Sequence, residues 1–516
     1  MAKTELSGSS SQPLSGNRSQ PRWKFFVGLI LLGHLAITVF LSYKLNIWID
    51  EAYTLNTTGQ SLGYALEKSL QFESQAPLYF LLLNAWRKID GSIFFGRLCS
   101  VICAVLTLLS YVQVSRYYLP GMQPVYLPAA TALNPYLIWA AVEMRLYSLA
   151  ILLTSLLMLF FYRRFIVRRK NRFDAVLLAV FSGIAVLTSY YFLLLLTAFL
   201  GYILVRRSRR DLFEYLVMIF PSLILVIPLL AQVPRQMASH FPSQPEQIGL
   251  LRSFRIVFGL IQNLVLHLTA LPLSAHVVIP ALFFFITVCL VLRFKRKIAG
   301  AQIVIWTLFG ITSAGFVFLV VFFGPNVVSP RYLFVIFILS SLAYFSVGFF
   351  LPESARNKFA AYSLLVMVPF HAFILISRYS PLAKSGDYLR ASSALERMEK
   401  PGEPIIVFNP EAAMSLSVYY RGRNDVVPIP RKIDFERYDI RDFVIRDEEQ
   451  IVKAMGEALS RRQNIWFFHA GLDKYQGVDY QFPLLEKFLS REFEVESAFV
   501  FFRSELRYLR RKASSD

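Results

Sequence analysis

Long apolar runs, recurring along most of the chain with arginine and lysine clusters between them, constrain this sequence most. About 20 apolar residues suffice to cross a bilayer as a helix. Runs of that order lie near residues 25–43, 93–115, 122–139, 146–162, 212–232, 276–292, 300–323, 331–350 and 359–377. Residues 173–205 are long enough for two short helices turning at Thr188–Tyr191. The pattern predicts an α-helical polytopic membrane protein with about eleven transmembrane helices. A composition 55% hydrophobic and only 17% charged argues the same way and excludes an ordinary soluble enzyme.

Basic clusters set the orientation, because short cytoplasmic loops collect Lys and Arg. Arg18, Arg22 and Lys24 precede the first run, which places the N-terminus in the cytoplasm. The clusters at Arg163–Arg172, Arg206–Arg210, Arg293–Lys297 and Arg356–Lys358 then all fall on that same side. This parity holds only if Pro77–Trp86, far too short to span, lies in the outer interface as a helix of the first outer loop, 46–92. Residues 256–272, interrupted by Gln262, Asn263 and His267, read as a second interfacial helix. The formal net charge of +20 is no nucleic-acid signal: +19 belongs to residues 1–377 and +1 to residues 378–516. The partners implied are the lipid bilayer, including anionic lipid at the basic loops, and no nucleic acid. Cys99, Cys103 and Cys289 all lie in apolar runs and read as packing residues rather than a disulfide framework.

Three regions follow. Residues 1–20, rich in Ser, Gln, Pro and Gly, read as a disordered cytoplasmic tail. Residues 21–377 form the membrane domain. Residues 378–516 turn soluble, and strands near Pro404–Phe408, Val426, Asn464–His469 and Phe493–Phe502 alternate with helices near Gly386–Met398, Glu411–Tyr420, Asp447–Arg462 and Phe482–Arg491. That alternation predicts a small α/β domain, extracytoplasmic by parity, with a scaffolding or acceptor-docking role. It carries no Gly-rich phosphate loop.

Asp50-Glu51 emerges directly after the first run, on the outer side. Two adjacent acids there are either solvated loop residues ending a helix or groups kept for function, since carboxylates near hydrocarbon are costly. The same outer face collects Glu73, Arg97, Glu143, Arg145, Tyr147, Arg331 and Tyr332. A lone arginine at a helix end often just snorkels to the interface. Several beside carboxylates suit phosphoryl-linked chemistry: guanidinium groups hold phosphate by paired hydrogen bonds, and a carboxylate can deprotonate a hydroxyl.

Trp48-Ile49-Asp50-Glu51-Ala52-Tyr53 resembles the Asp-Glu first-loop motif of the GT-C membrane glycosyltransferases, within them the bacterial protein O-mannosyltransferase-like group that includes aminoarabinose and lipopolysaccharide-core sugar transferases. Glu73-Ser74-Gln75-Ala76-Pro77-Leu78-Tyr79 is similar to their Asp-x-His-Pro-Pro-Leu-Tyr segment, and Phe95-Gly96-Arg97-Leu98-Cys99-Ser100 to Ala-Leu-Arg-Leu-Pro-Ser. Asn134-Pro135 with Glu143-Met144-Arg145-Leu146-Tyr147, and Ser329-Pro330-Arg331-Tyr332-Leu333, follow in the same order. Gly386-Asp387-Tyr388 and Pro401-Gly402-Glu403 resemble the start of the soluble tail in many members.

The resemblance implies a polyprenyl-monophosphate-sugar donor, an extracytoplasmic site in a bacterial inner membrane, and inverting transfer to a hydroxyl of a glycan, lipid or protein acceptor. In those terms Asp50 is the general base and Glu51 its catalytic neighbour. Arg97, Arg145 and Arg331 hold the donor phosphate. Glu73, Gln75, Glu143, Tyr147 and Tyr332 orient the substrates. The family's His-Pro-Pro is Gln75-Ala76-Pro77 here, and Thr188-Ser189-Tyr190 lacks the His often found at that turn. His240, His267 and His276 are not at zinc spacing, so neither a metal nor another cofactor is expected. The competing class is a transporter or flippase of lipid-linked sugar; paired repeats, which that class often shows, are not evident. A catalytically silent relative is a third reading, disfavoured by the adjacent acids.

Overall fold

A computed structural model describes residues 22–168, 171–240, 248–265, 300–460, 464–471, 473–475 and 477–512. The expected tail 1–20, the run 276–292 with Cys289, the cluster Arg293–Lys297, and His267 and His276 lie outside the described residues.

The apolar runs fold as helices: α1 (Arg22–Lys44), α5 (Ile93–Tyr118), α8 (Tyr147–Phe161), α11 (Arg209–Leu230), α14 (Gly300–Phe323) and α16 (Glu353–Tyr379). These six, α8 with a following π turn, are the described helices long and apolar enough to cross a membrane. Their outward Leu, Phe and Val side chains stay exposed, which in a bilayer is lipid contact. Shorter helices complete the helical part. They are α2 (Ile49–Thr57), α3 (Leu62–Gln71), α4 (Leu78–Arg87), α6 (Tyr126–Ala132), α7 (Pro135–Ala141), α9 (Arg172–Thr188), α10 (Phe192–Val205), α12 (Val233–His240), α13 (Leu250–Val265) and α15 (Phe334–Ser346).

Two details bear on the spans. The short apolar run in the first outer loop is the ten-residue α4, too short to cross. The run expected as one span at 122–139 is instead broken into α6 and α7. Asn134 and Pro135 cause the break: the Asn134 side chain accepts from the Tyr136 N–H at 2.8 Å, and proline cannot continue the hydrogen-bond ladder. The turn between α9 and α10 falls at 189–191, where the sequence placed it.

The chain's last part is a five-stranded sheet with helices. Its elements are α17 (Tyr388–Met398), β1 (Ile405–Phe408), α18 (Pro410–Tyr419), β2 (Val426–Ile429), α19 (Glu448–Ser460), β3 (Ile465–His469), a small hairpin β4 (Lys474–Tyr475) and β5 (Val478–Asp479), α20 (Phe482–Glu492), β6 (Phe493–Phe501) and β7 (Ser504–Arg511). Strand order is β2-β1-β3-β7-β6; the first three run parallel and β7 and β6 antiparallel. Side chains alternate across β1. Ile405 and Val407 join Trp466, Phe468 and residues of α17 and α18 on one face. Ile406 and Phe408 join Ile429, Ile465 and Phe467 on the other, and that second core continues into Ile49, Tyr53 and Phe72 of the first outer loop. A shared apolar core therefore seats the sheet on α2, the helix that carries the two acids.

Candidate active site

Asp50 and Glu51 occupy the first turn of α2, where carboxylates complement the helix dipole. Consecutive residues on a helix point about 100° apart, so the two acids face different surroundings. Asp50 faces a cavity of about 530 Å3 and is partly exposed. Glu51 turns inward and is completely buried.

Glu51 is the hub of an internal charge cluster. Arg97 reaches it from α5 in a two-pronged pair, Nε to Oε1 and Nη2 to Oε2, both 2.7 Å. The remaining Arg97 donors go to the backbone carbonyls of Ser42 (3.0 Å), Leu45 (2.7 Å) and Asn46 (2.9 Å). All five N–H groups of this guanidinium are thus engaged within the protein, and Arg97 does not line the cavity. Arg97, expected to hold donor phosphate, is thus placed away from the cavity, and its bonds tie the end of α1 and the start of α2 to α5. Glu51, expected as the catalytic neighbour of Asp50, is likewise not among the residues that line the cavity. Burial lifts the Glu51 pKa, but Arg97 and Lys384 outweigh burial and hold it at about 2.

Lys384, which the sequence did not single out, completes the cluster. Its ammonium donates to Glu51 Oε2 (2.6 Å), to the Val142 carbonyl (3.2 Å) and pairs with Glu143 Oε1 (3.1 Å). Burial and neighbouring Arg97 lower its pKa against the pull of the two acids. Glu143 also accepts from the Trp48 indole N–H. It is buried and touches the cavity only through Trp48, whose ring lines it. Burial raises the Glu143 pKa despite Lys384.

The cavity wall itself holds the other expected residues. Arg331, in the turn before α15, donates from Nη1 to Asp50 Oδ2 (2.6 Å) and from Nη2 to the Tyr475 hydroxyl (3.1 Å). Arg145, in the connection between α7 and α8, donates from Nη1 to Glu73 Oε2 (2.7 Å), the Thr54 hydroxyl (2.8 Å) and the Asp50 carbonyl (3.2 Å). Among the described residues Arg145 Nε is buried without a hydrogen-bond partner, as are Gln75 Oε1 and the Ser74 hydroxyl on the same wall. Unpaired buried polar atoms are costly, and their gathering on one cavity marks a surface built to receive a polar ligand. Burial raises the Glu73 pKa against the Arg145 charge. Tyr332 stacks on Tyr191, centroids 5.0 Å apart and planes 11° apart. Tyr147 lies behind the wall, stacked on Trp139 at 4.7 Å, and does not reach the cavity.

Asp50, Arg145 and Arg331, separated by up to 281 positions, thus meet in one cavity. Glu73, Gln75 and Tyr332 join them, whereas Glu51, Arg97, Glu143 and Tyr147 support the wall from behind. The cavity is also lined by apolar side chains, Leu193 and Leu194 of α10, Leu230 of α11, and Leu319 and Phe323 of α14. Among the described residues no three His, Cys, Asp or Glu side chains gather as a metal-ligand set.

The sequence matches no protein-family model and no curated protein. Two solved structures are similar to this one along its length. ArnT from Cupriavidus metallidurans bound to undecaprenyl phosphate matches with a TM-score of 0.48 and 13% identity, over 94% of this chain and 98% of that one. The same protein in the apo state matches with a TM-score of 0.46, the same identity and the same coverage.

Proposed function

We propose that the protein is a GT-C membrane glycosyltransferase that moves a sugar from a polyprenyl-monophosphate donor to a hydroxyl acceptor on the extracytoplasmic face of a bacterial inner membrane. One observation carries the reading: a carboxylate and two guanidinium groups share a cavity that apolar side chains also line. A lipid-linked sugar phosphate has the matching parts, an apolar chain, an anion and a polar ring.

Arg331 and Arg145 stabilise the phosphate, Arg145 through its unpaired Nε. Arginine suits this because its fork matches phosphate oxygens. Asp50 removes the proton of the acceptor hydroxyl. The acceptor oxygen then attacks the anomeric carbon, and the carbon–oxygen bond to phosphate breaks with inversion. Polyprenyl phosphate leaves with the bonding electrons, held by the two arginines, and Asp50 later returns its proton to water. A phosphate drawing on Arg331 also loosens the Asp50–Arg331 pair, which frees the base as the donor binds. Glu51, buried and fully bonded, fixes the start of α2 so that Asp50 stays aimed into the cavity. No metal step enters this scheme.

Reconstitution into liposomes tests it. With polyprenyl-monophosphate sugar labelled in the sugar and a cell-envelope extract as acceptor, the transferase reading expects label to leave the lipid for a new glycoside. Label that changes leaflet while remaining on the lipid identifies a flippase and refutes the reading.

A further inference from the structure

The sheet at the end of the chain presents one particular edge to the cavity. In open sheets of parallel strands, ligands sit beyond the carboxyl ends of the strands, where the following loops converge. Here the parallel strands are β2, β1 and β3. Each is followed by a residue that lines the cavity: Glu411 after β1, Tyr438 after β2 and Tyr475 after β3. Three independent connections reaching one cavity is the arrangement of a binding edge, and a docking surface for the sheet alone does not require it.

The chemistry of the three is specific. Glu411 lies in the first turn of α18, capped by Asn409, and is buried. Among the described residues its carboxylate takes one hydrogen bond, from the Tyr53 hydroxyl to Oε1 at 2.5 Å. Tyr53 in turn meets the Tyr438 ring edge-on, centroids 6.1 Å apart. Tyr475 takes its hydrogen bond from Arg331, the partner of Asp50. A carboxylate with an oxygen to spare, among aromatic faces that carry hydroxyls, matches the ring of a sugar: apolar C–H faces stack on tyrosine, and ring hydroxyls donate to carboxylate oxygen.

We propose that Glu411, carried by the C-terminal sheet, is a sugar-recognition residue of this site, accepting hydrogen bonds from ring hydroxyls while Tyr438 and Tyr475 flank the ring. This rests on the transferase reading and goes beyond it, since it gives the last 139 residues a direct part in sugar recognition. The ring belongs to the donor or to the acceptor, and the test separates the two.

Wild-type protein, Glu411→Gln and Tyr53→Phe are compared in nanodiscs at about pH 8.5, where Glu411 is ionised. The Gln amide oxygen still accepts from Tyr53, so Glu411→Gln preserves the anchor while it removes the charge and puts an NH2 donor where the spare acceptor oxygen stood. Tyr53→Phe removes the anchor and keeps the carboxylate. Three probes are titrated: polyprenyl monophosphate, polyprenyl-monophosphate hexose, and n-octyl glucoside in saturating polyprenyl monophosphate. A hydrogen bond from a sugar hydroxyl to a charged group is worth about ten- to a hundredfold in affinity. The expected result is a loss of at least about tenfold in Glu411→Gln for the hexose donor, with polyprenyl monophosphate unchanged; this assigns the donor ring. The same loss confined to octyl glucoside assigns the acceptor ring and equally supports the proposal. Equal weakening of polyprenyl monophosphate, no weakening of either sugar probe, or a loss seen in Tyr53→Phe but not in Glu411→Gln overturns it. Failure of wild-type protein to bind any probe would instead sink the transferase reading itself.

Discussion

Replacing Lys384 with methionine leaves one specific group stranded. The ammonium's three donors go to Glu51, Glu143 and the Val142 carbonyl. Methionine fills similar space and restores none of these. Glu51 stays compensated, because Arg97 keeps both its hydrogen bonds and the Met144 N–H adds a third at 3.0 Å. Glu143 keeps the Trp48 indole and loses its contacting cation. Breaking a buried pair in this way typically costs about 3–5 kcal/mol. The charge part of that cost has a ceiling, since Glu143 can escape by taking a proton. From an ordinary carboxylate value of 4.5, protonation costs about 1.4 kcal/mol per pH unit, hence about 3 kcal/mol at pH 7 and about 1 kcal/mol at pH 5.5. Adding Glu143→Gln to Lys384→Met removes the charge and so recovers this part. Thermal unfolding of purified protein, followed by circular dichroism, reads the order directly. At pH 7 the double variant should melt above Lys384→Met although it carries one more substitution, and the gap should narrow by more than half at pH 5.5. Glu143 already stands at about 7 with Lys384 in place, so the pair itself is read at about pH 8.5, where Glu143→Gln should raise the melting temperature more in the Lys384→Met background than in wild type; equal gains would refute the assignment of Lys384 as the counter-ion of Glu143.

Arg97→Lys should lower the melting temperature and the turnover number while leaving polyprenyl-monophosphate affinity within about twofold, because one ammonium replaces five placed donors but none of them faces the cavity; binding and melting measured on the same preparation decide it. Arg145→Ala should weaken polyprenyl-monophosphate binding by about tenfold or more, the scale of a charge-assisted hydrogen bond, with acceptor KM changed less; the reverse split contradicts a phosphate role. Burial pushes Glu411 up to about 7 with Tyr53 opposing the rise, so the folded chain binds this proton more tightly than the unfolded chain. Ionisation therefore costs stability progressively from about pH 4.5 to pH 7, and Glu411→Gln should match wild type near pH 4.5 and gain in melting temperature relative to it as pH rises to 7.5.

Much of this architecture is legible in the amino-acid sequence, and for physical reasons. Span-length hydrophobicity locates α1, α5, α8, α11, α14 and α16 because a bilayer demands it. The failure at 122–139 is equally physical: hydropathy counts apolar residues and is blind to an Asn134-Pro135 cap that splits them into two seven-residue helices. The strand–helix alternation of the tail is legible, but β7 and the β4–β5 hairpin are not, because their polar sequences become strands only through pairing partners. In the site, local motifs find Asp50, Arg145 and Arg331. They do not tell a cavity arginine from a buried one, and Arg97 falls on the wrong side of that line. Only tertiary contact separates them. Lys384 lies 333 positions from Glu51 and has no local signal. Glu411 does have one: a carboxylate in the first turn of a helix that follows a parallel strand is where such sheets bind ligands.

The account stands on Asp50 as the base within a cavity that Arg145 and Arg331 prepare for phosphate. Its most direct test is Asp50→Asn, assayed for sugar transfer from polyprenyl-monophosphate sugar alongside binding of that same donor. The expected result is transfer reduced by about 10²–10⁴-fold, the usual worth of a general base, with donor binding retained. Transfer within about twofold of wild type, against that expected loss, would contradict the central claim.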